Sequence, residues 1–97
     1  MNDLGSLQSA IRQLHGCESA HVESVLVHET FQGATVWDGV VEVFSLVGHP
    51  TARRCYAWNY QQDVGGTRYL AVLELPPVDS ARRAVQVAIA ADSRGRA

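Results

Sequence analysis

The chain has no lysine: its eight basic residues are all arginine, set against ten acidic ones, for a formal charge of −2. Nucleic-acid binders carry a basic excess that neutralises phosphates, so this balance speaks against that class. Cysteine is scarce. Cys17 and Cys55 are too few for a disulfide scaffold, and their spacing is neither a zinc ribbon nor a redox pair. In a cytosolic chain both are expected to be reduced. No apolar run approaches the ~18 residues that a membrane span needs. The start, Met1 to Ser6, lacks the basic stretch and apolar block of a signal peptide. The expectation is a soluble, cytoplasmic protein with no nucleic-acid or membrane partner. Repeats, low-complexity tracts and linkers are missing too.

What is present is a globular composition. The 97 residues are 46% hydrophobic and 19% charged, enough for one modest core. The chain is expected to form one α+β domain over residues 1–97, with residues 93–97 a frayed tail. Leu4, Leu7, Ile11 and Leu14 recur at helical spacing, Asn2 or Asp3 can cap the start, and Gly16 fits a left-handed stop. A second helix is predicted over 80–91, with Asp79 as its cap and Ala81, Ala84, Val85, Ala88 and Ile89 as its apolar stripe. Between them lie four predicted strands, about 20–31, 34–47, 52–61 and 67–75. Turns at Gln32-Gly33, Gly48-His49-Pro50 and Asp63 to Gly66 join them into an antiparallel meander. Both helices are assigned to one face of this sheet.

The register decides the faces. A two-residue turn at Gln32-Gly33 pairs Phe31 with Ala34, Leu26 with Gly39, His28 with Trp37, and Glu23 with Glu42. One face then carries Val22, Leu26, Trp37, Val41, Val43, Tyr56, Trp58, Tyr60, Leu73 and Leu75, under the helices. The opposite face mixes Val25, Val36, Val40, Phe44, Cys55, Ala57, Leu70 and Val72 with Glu23, Asp38, Glu42, Arg53 and Glu74. A solvated sheet face alternates to polar residues; an apolar patch studded with charge marks an interaction or ligand surface. A three-residue turn at Gly48 would exchange the faces of the last two strands.

Several side chains invite chemistry, and each has a plainer reading. Glu23 opposite Glu42 would repel, raising one carboxylate's pKa or drawing in an arginine such as Arg53; a solvated or ion-paired couple is the plainer outcome. His15, His21, His28 and His49 fall in no metal-ligand spacing, and His21 and His28 are placed on opposite faces, so no metal is expected. Cys55, mid-strand, reads as a small apolar residue. Ser24, Ser45 and Ser80 sit in no nucleophile elbow. Tyr56, Trp58 and Tyr60 beside Arg54 would suit base stacking, but without a basic excess they read as core. Gly65-Gly66 is a lone pair in a turn, not a phosphate loop. Arg82 and Arg83 oppose the dipole at the start of the last helix.

Taken together, His21-Val-Glu-Ser-Val25, Phe31-Gln-Gly-Ala-Thr-Val-Trp37, Gly39-Val-Val-Glu-Val-Phe44, Gly48-His-Pro50, Arg54-Cys-Tyr-Ala-Trp58 and Leu73-Glu-Leu-Pro-Pro-Val-Asp-Ser80 resemble a family of small bacterial proteins of unknown function. Some members of that family are carried on integron gene cassettes. The resemblance runs from about Leu14 onward. It implies an α+β fold and a mobile, stand-alone gene, and it brings no activity, cofactor or catalytic residue.

The leading expectation is a self-associating protein whose mixed face, through Val40, Phe44 and Val72, forms a homodimer or larger homo-oligomer. The second is a small-molecule binder or enzyme, with Glu23, Asp38, Glu42 and Arg53 lining a cleft on that face or at a subunit boundary. A regulator acting through another protein is a third. No cofactor is expected.

Overall fold

The computed structural model describes residues 3–61 and 66–95. In chain order they form α1 (Leu4–His15), β1 (Glu18–Phe31), β2 (Ala34–Val47), β3 (Arg54–Gln61), β4 (Thr67–Leu73) and α2 (Ala81–Gly95). The class is α+β, with an antiparallel sheet in the order β1-β2-β3-β4 and a helix at each end of the chain. Among the described residues no helix is long and apolar enough to cross a membrane.

Local chemistry sets the helix ends. Asp3 caps α1: Oδ1 accepts from the Gly5 amide at 3.1 Å and Oδ2 from the Ser6 hydroxyl at 2.8 Å. These donors hold the Asp3 carboxyl below its ordinary pKa, the Ser6 hydroxyl most of all. Gly16, at φ 69, closes the helix, and its amide donates to the Arg12 carbonyl at 2.8 Å. A residue with a Cβ is strained in that conformation. At α2 the cap is Ser80, not Asp79: the Ser80 hydroxyl accepts from the Arg83 amide at 3.2 Å. The helix runs on to Gly95, through the start of the segment expected to fray; residues 96–97 lie outside the described part.

The β1–β2 hairpin turns at Gln32 (φ 52) and Gly33 (φ 79), both left-handed, with Phe31 opposite Ala34. That backbone matches the twist of paired strands. The simple register fails two residues later. Thr30 pairs with Thr35 but Glu29 with Trp37, so Val36 is an extra residue on β2. A second bulge at Val22 restores the count before His21 meets Phe44. Between the bulges every expected pair shifts by one: Leu26 faces Val40, His28 faces Asp38, Ser24 faces Glu42, and Glu23 faces Val43. The β2–β3 register keeps its expected parity, with Phe44 opposite Cys55. The β3–β4 register does not, because five residues rather than four separate Gln61 from its partner Thr67. Leu73 therefore sits opposite Cys55, not Tyr56.

The buried side chains form two cores, one on each face. Val27, Val41, Val43, Tyr56 and Trp58 pack with Val78, Ala81, Ala84 and Val85 under α2. Phe44, Cys55 and Ala57 pack with Leu7, Ile11 and Cys17 under α1. The two helices thus cover opposite faces, and the expected arrangement of both on one face is corrected. A sheet whose two faces are both apolar needs a covering layer on each. Trp58 (1% exposed) and Phe44 (0%) are the largest fully buried side chains of their respective cores. Burial of a side chain of this kind contributes roughly 1.5–3 kcal/mol.

α1 covers only the root of its face. The core beneath it extends to the partly buried Leu46, Ala71 and Leu73. Among the described residues the β2–β3 ladder ends at Glu42–Ala57, so the β1–β2 hairpin continues as an arm beyond it. On that arm, Leu26 and Val40 lie on the α1 side but outside the α1 core, exposed by 77% and 37%.

Candidate functional site

The expected site residues do not converge. Glu23 and Glu42, expected to be opposed, point to different faces, because the bulges pair Glu23 with Val43 and Ser24 with Glu42. Glu23 stands exposed on the α2 side. Asp38 lies far out on the arm, its Oδ1 3.5 Å from Nδ1 of His28, with both side chains more than half exposed. Arg53 is in the connection before β3, where its carbonyl accepts from the Leu46 amide at 2.8 Å. Only Glu42 is buried.

The expected interface residues also separate. Phe44 lies beneath α1 and cannot meet a partner without displacing it. Val72 packs on the other face, against the α2 core. Val40 alone of the three is exposed.

Glu42 instead organises a polar cluster at the rim of α1. Its Oε1 accepts from the Ser24 hydroxyl and lies 2.9 Å from Nε2 of His21. His21 stacks edge-on against Phe44, with ring centroids 5.5 Å apart. A buried carboxylate needs such partners, since losing its hydration is costly. The bulge at Val22 builds this cluster. It brings His21 onto the same face as His28, whereas strict alternation puts them on opposite faces. The two imidazoles remain seven positions apart, each with its own carboxylate. Ser24 and His21 share one oxygen of Glu42, so this is a chain of bonds to a central acceptor. It is not a serine activated through a histidine, which would need a Ser–His contact.

The other reactive groups are committed to structure. Burial pushes the Cys55 thiol up to about 12. The Tyr56 hydroxyl donates to Glu74 Oε2 at 2.5 Å, and burial, then this bond, raise its pKa. His49 Nδ1 accepts from the Ala52 amide at 2.9 Å and so closes the β2–β3 connection. His15 Nε2 meets the Ala71 carbonyl at 2.8 Å and ties α1 to β4. An open depression beside α1, lined by Asp3, Ser6, Ser9, Gln13 and Tyr69 among others, offers one carboxylate, and Asp3 spends it on the cap. Among the described residues no group of three or more His, Cys, Asp or Glu is placed to hold a metal ion.

The sheet has two edge strands, β1 and β4, and β1 is the longer. β1 is an edge strand of 14 residues, without proline or lysine. Its outward-facing amides and carbonyls are a template for another strand unless short length, proline, charge or a bulge blunts them. The β1 bulge is at Val22, leaving Glu23–Glu29 a regular run. On the α2 side of this run, Arg82 of α2 reaches over β1, its Nε 3.2 Å from Glu29 Oε1. This ion pair was not legible in the sequence; the only signal was that Arg82 stood unfavourably near a helix start.

Comparisons with protein-family models, curated proteins and solved structures return no match for this chain.

Proposed function

We propose that the chain is a self-associating interaction domain, with the β1–β2 arm as its contact surface. The observation that carries this is the exposure of Leu26 at 77%, on an edge strand and opposite the exposed Val40. A large apolar side chain held in the middle of a long free edge is the feature that strand-to-strand association uses. This replaces the face that contained Phe44 and Val72 and keeps Val40.

The test is the solution mass by light scattering across a wide concentration range. A dimer or higher form that dissociates on dilution is the expected result. A monomer at every concentration overturns the reading.

A second reading places a small-molecule site at the rim of α1. It is favoured by the buried Glu42 held by His21 and Ser24. A ligand screen by thermal shift tests it. Stabilisation that disappears in Glu42→Gln supports a site there, and no shift across a broad library counts against it.

A further inference from the structure

We infer that two copies of this chain pair antiparallel along β1, with Leu26 on the two-fold axis, joining two sheets into one. This rests on the self-association reading and deepens it, because it fixes the partner surface and its register.

The alternation of side chains limits the choices. Opposed residues of an antiparallel pair share a face, so a symmetric pairing of β1 with itself must set a residue against its own copy. Shifts of a single position would oppose α1-side residues to α2-side ones. The regular run between the bulges therefore allows few centres, chiefly Val25, Leu26 and Val27.

The centre at Leu26 is favoured on both faces. On the α1 side, Leu26 meets the second copy's Leu26, flanked by Val40 of each chain, so the most exposed large apolar side chain is covered by its own kind. Ser24 then stands opposite His28. On the α2 side, Val25 opposes Val27, and Glu23 opposes Glu29. Two bare carboxylates so placed would repel. Here Arg82 lies over Glu29, bound to it through Nε at 3.2 and 3.3 Å, and its side chain is 69% exposed. The guanidinium fork has further N–H donors, and the incoming Glu23 arrives beside them. Glu23 makes no ion pair within its own chain among the described residues. The dimer gives it one, twice over by symmetry. Centres at Val25 or Val27 set Glu23 against an apolar residue or the turn-proximal Phe31 and leave Leu26 facing a polar side chain.

Cysteine crosslinking reads the register directly. Opposed residues of an antiparallel pair lie ~4.5–5.5 Å apart at Cα, within disulfide range. Leu26→Cys, oxidised with copper phenanthroline, is expected to form a covalent dimer. Ser24→Cys is expected to form none, since the two positions 24 would be four residues out of register, ~13 Å apart along the strand. The buried Cys17 and Cys55 leave the unmodified chain as the blank. Arg82→Gln is expected to weaken the dimer about tenfold or more, because it leaves the Glu23 and Glu29 carboxylates opposed with no cation beside them.

A dimer of the unmodified chain in which Leu26→Cys fails to crosslink, or Ser24→Cys crosslinks to itself, overturns this register and leaves self-association standing. A concentration-independent monomer overturns both. Circular dichroism of each variant confirms that the fold is kept; Leu26 is exposed enough for its replacement to be tolerated.

Discussion

Val43 and Phe44 are neighbours in the chain and belong to different cores. Val43 packs under α2 and Phe44 under α1, each almost wholly buried. The sheet between them is the shared wall of two apolar layers, and the energetics of the chain should divide accordingly.

Phe44→Ala should destabilise the fold by about 3–5 kcal/mol, as large-to-small core changes do. Milder changes test the division. Phe44→Leu with Ile11→Val, both under α1, should depart from additivity by about 0.5 kcal/mol or more. Phe44→Leu with Val85→Ala, on opposite faces, should add within about 0.5 kcal/mol. Urea unfolding of the singles and doubles measures this.

Glu42→Ala removes the acceptor for Ser24 and the partner of His21. A loss of about 1–3 kcal/mol is expected, because two bonds to a buried side chain go. Glu42→Gln keeps an acceptor and should cost less. Equal losses in the two variants would show that the bonds contribute little and that packing dominates.

The Arg82 guanidinium holds the Glu29 carboxyl below its ordinary value of 4.5. A carboxylate depressed in the folded state stabilises the fold above its unfolded pKa and loses that contribution as pH falls through the folded one. Stability measured by denaturant between pH 5 and pH 2, at low protein concentration, should therefore fall less steeply in Glu29→Gln than in the unmodified chain. An unchanged slope would mean that the pair does not persist in solution.

Both cysteines are buried, and the Cys55 thiol is pushed up to about 12. Since the thiolate is the reactive form, a thiol reagent at pH 8 should label Cys55 only as fast as the fold opens. Labelling should become rapid in urea. Fast labelling of Cys55 under native conditions would contradict its place beneath α1.

Gly39 lies under the Trp37 indole. A Cβ there would come within 3.3 Å of the ring. Gly39→Val should push the Trp37 ring aside by a few tenths of an ångström. It should also alter the near-ultraviolet dichroism, since Trp37 stands edge-on to Trp58 with centroids 5.8 Å apart.

Much of the local structure was legible in the residues. Asp3 and Gly16 delimit α1 because a carboxylate and a missing Cβ have direct uses at helix ends. Gln32-Gly33 marks a two-residue hairpin turn, and apolar alternation marks Val41, Val43, Tyr56 and Trp58 as one core set. These are short-range effects, carried by residues a few positions apart.

The faces and the candidate surface were decided by the tertiary structure. Extra residues at Val36 and Val22 move Leu26, Ser24 and Glu23 to sides that strict alternation does not give them, and one more residue between β3 and β4 moves Leu73. A bulge has no fixed sequence signature, yet with a period of two it inverts every side chain beyond it. Which helix lies on which face was settled by packing: α2 on Val43 and Trp58, α1 on Phe44 and Cys55. Phe44 keeps the face that alternation gives it and is enclosed because α1 packs there, while Leu26 owes its place on the free edge to the bulges.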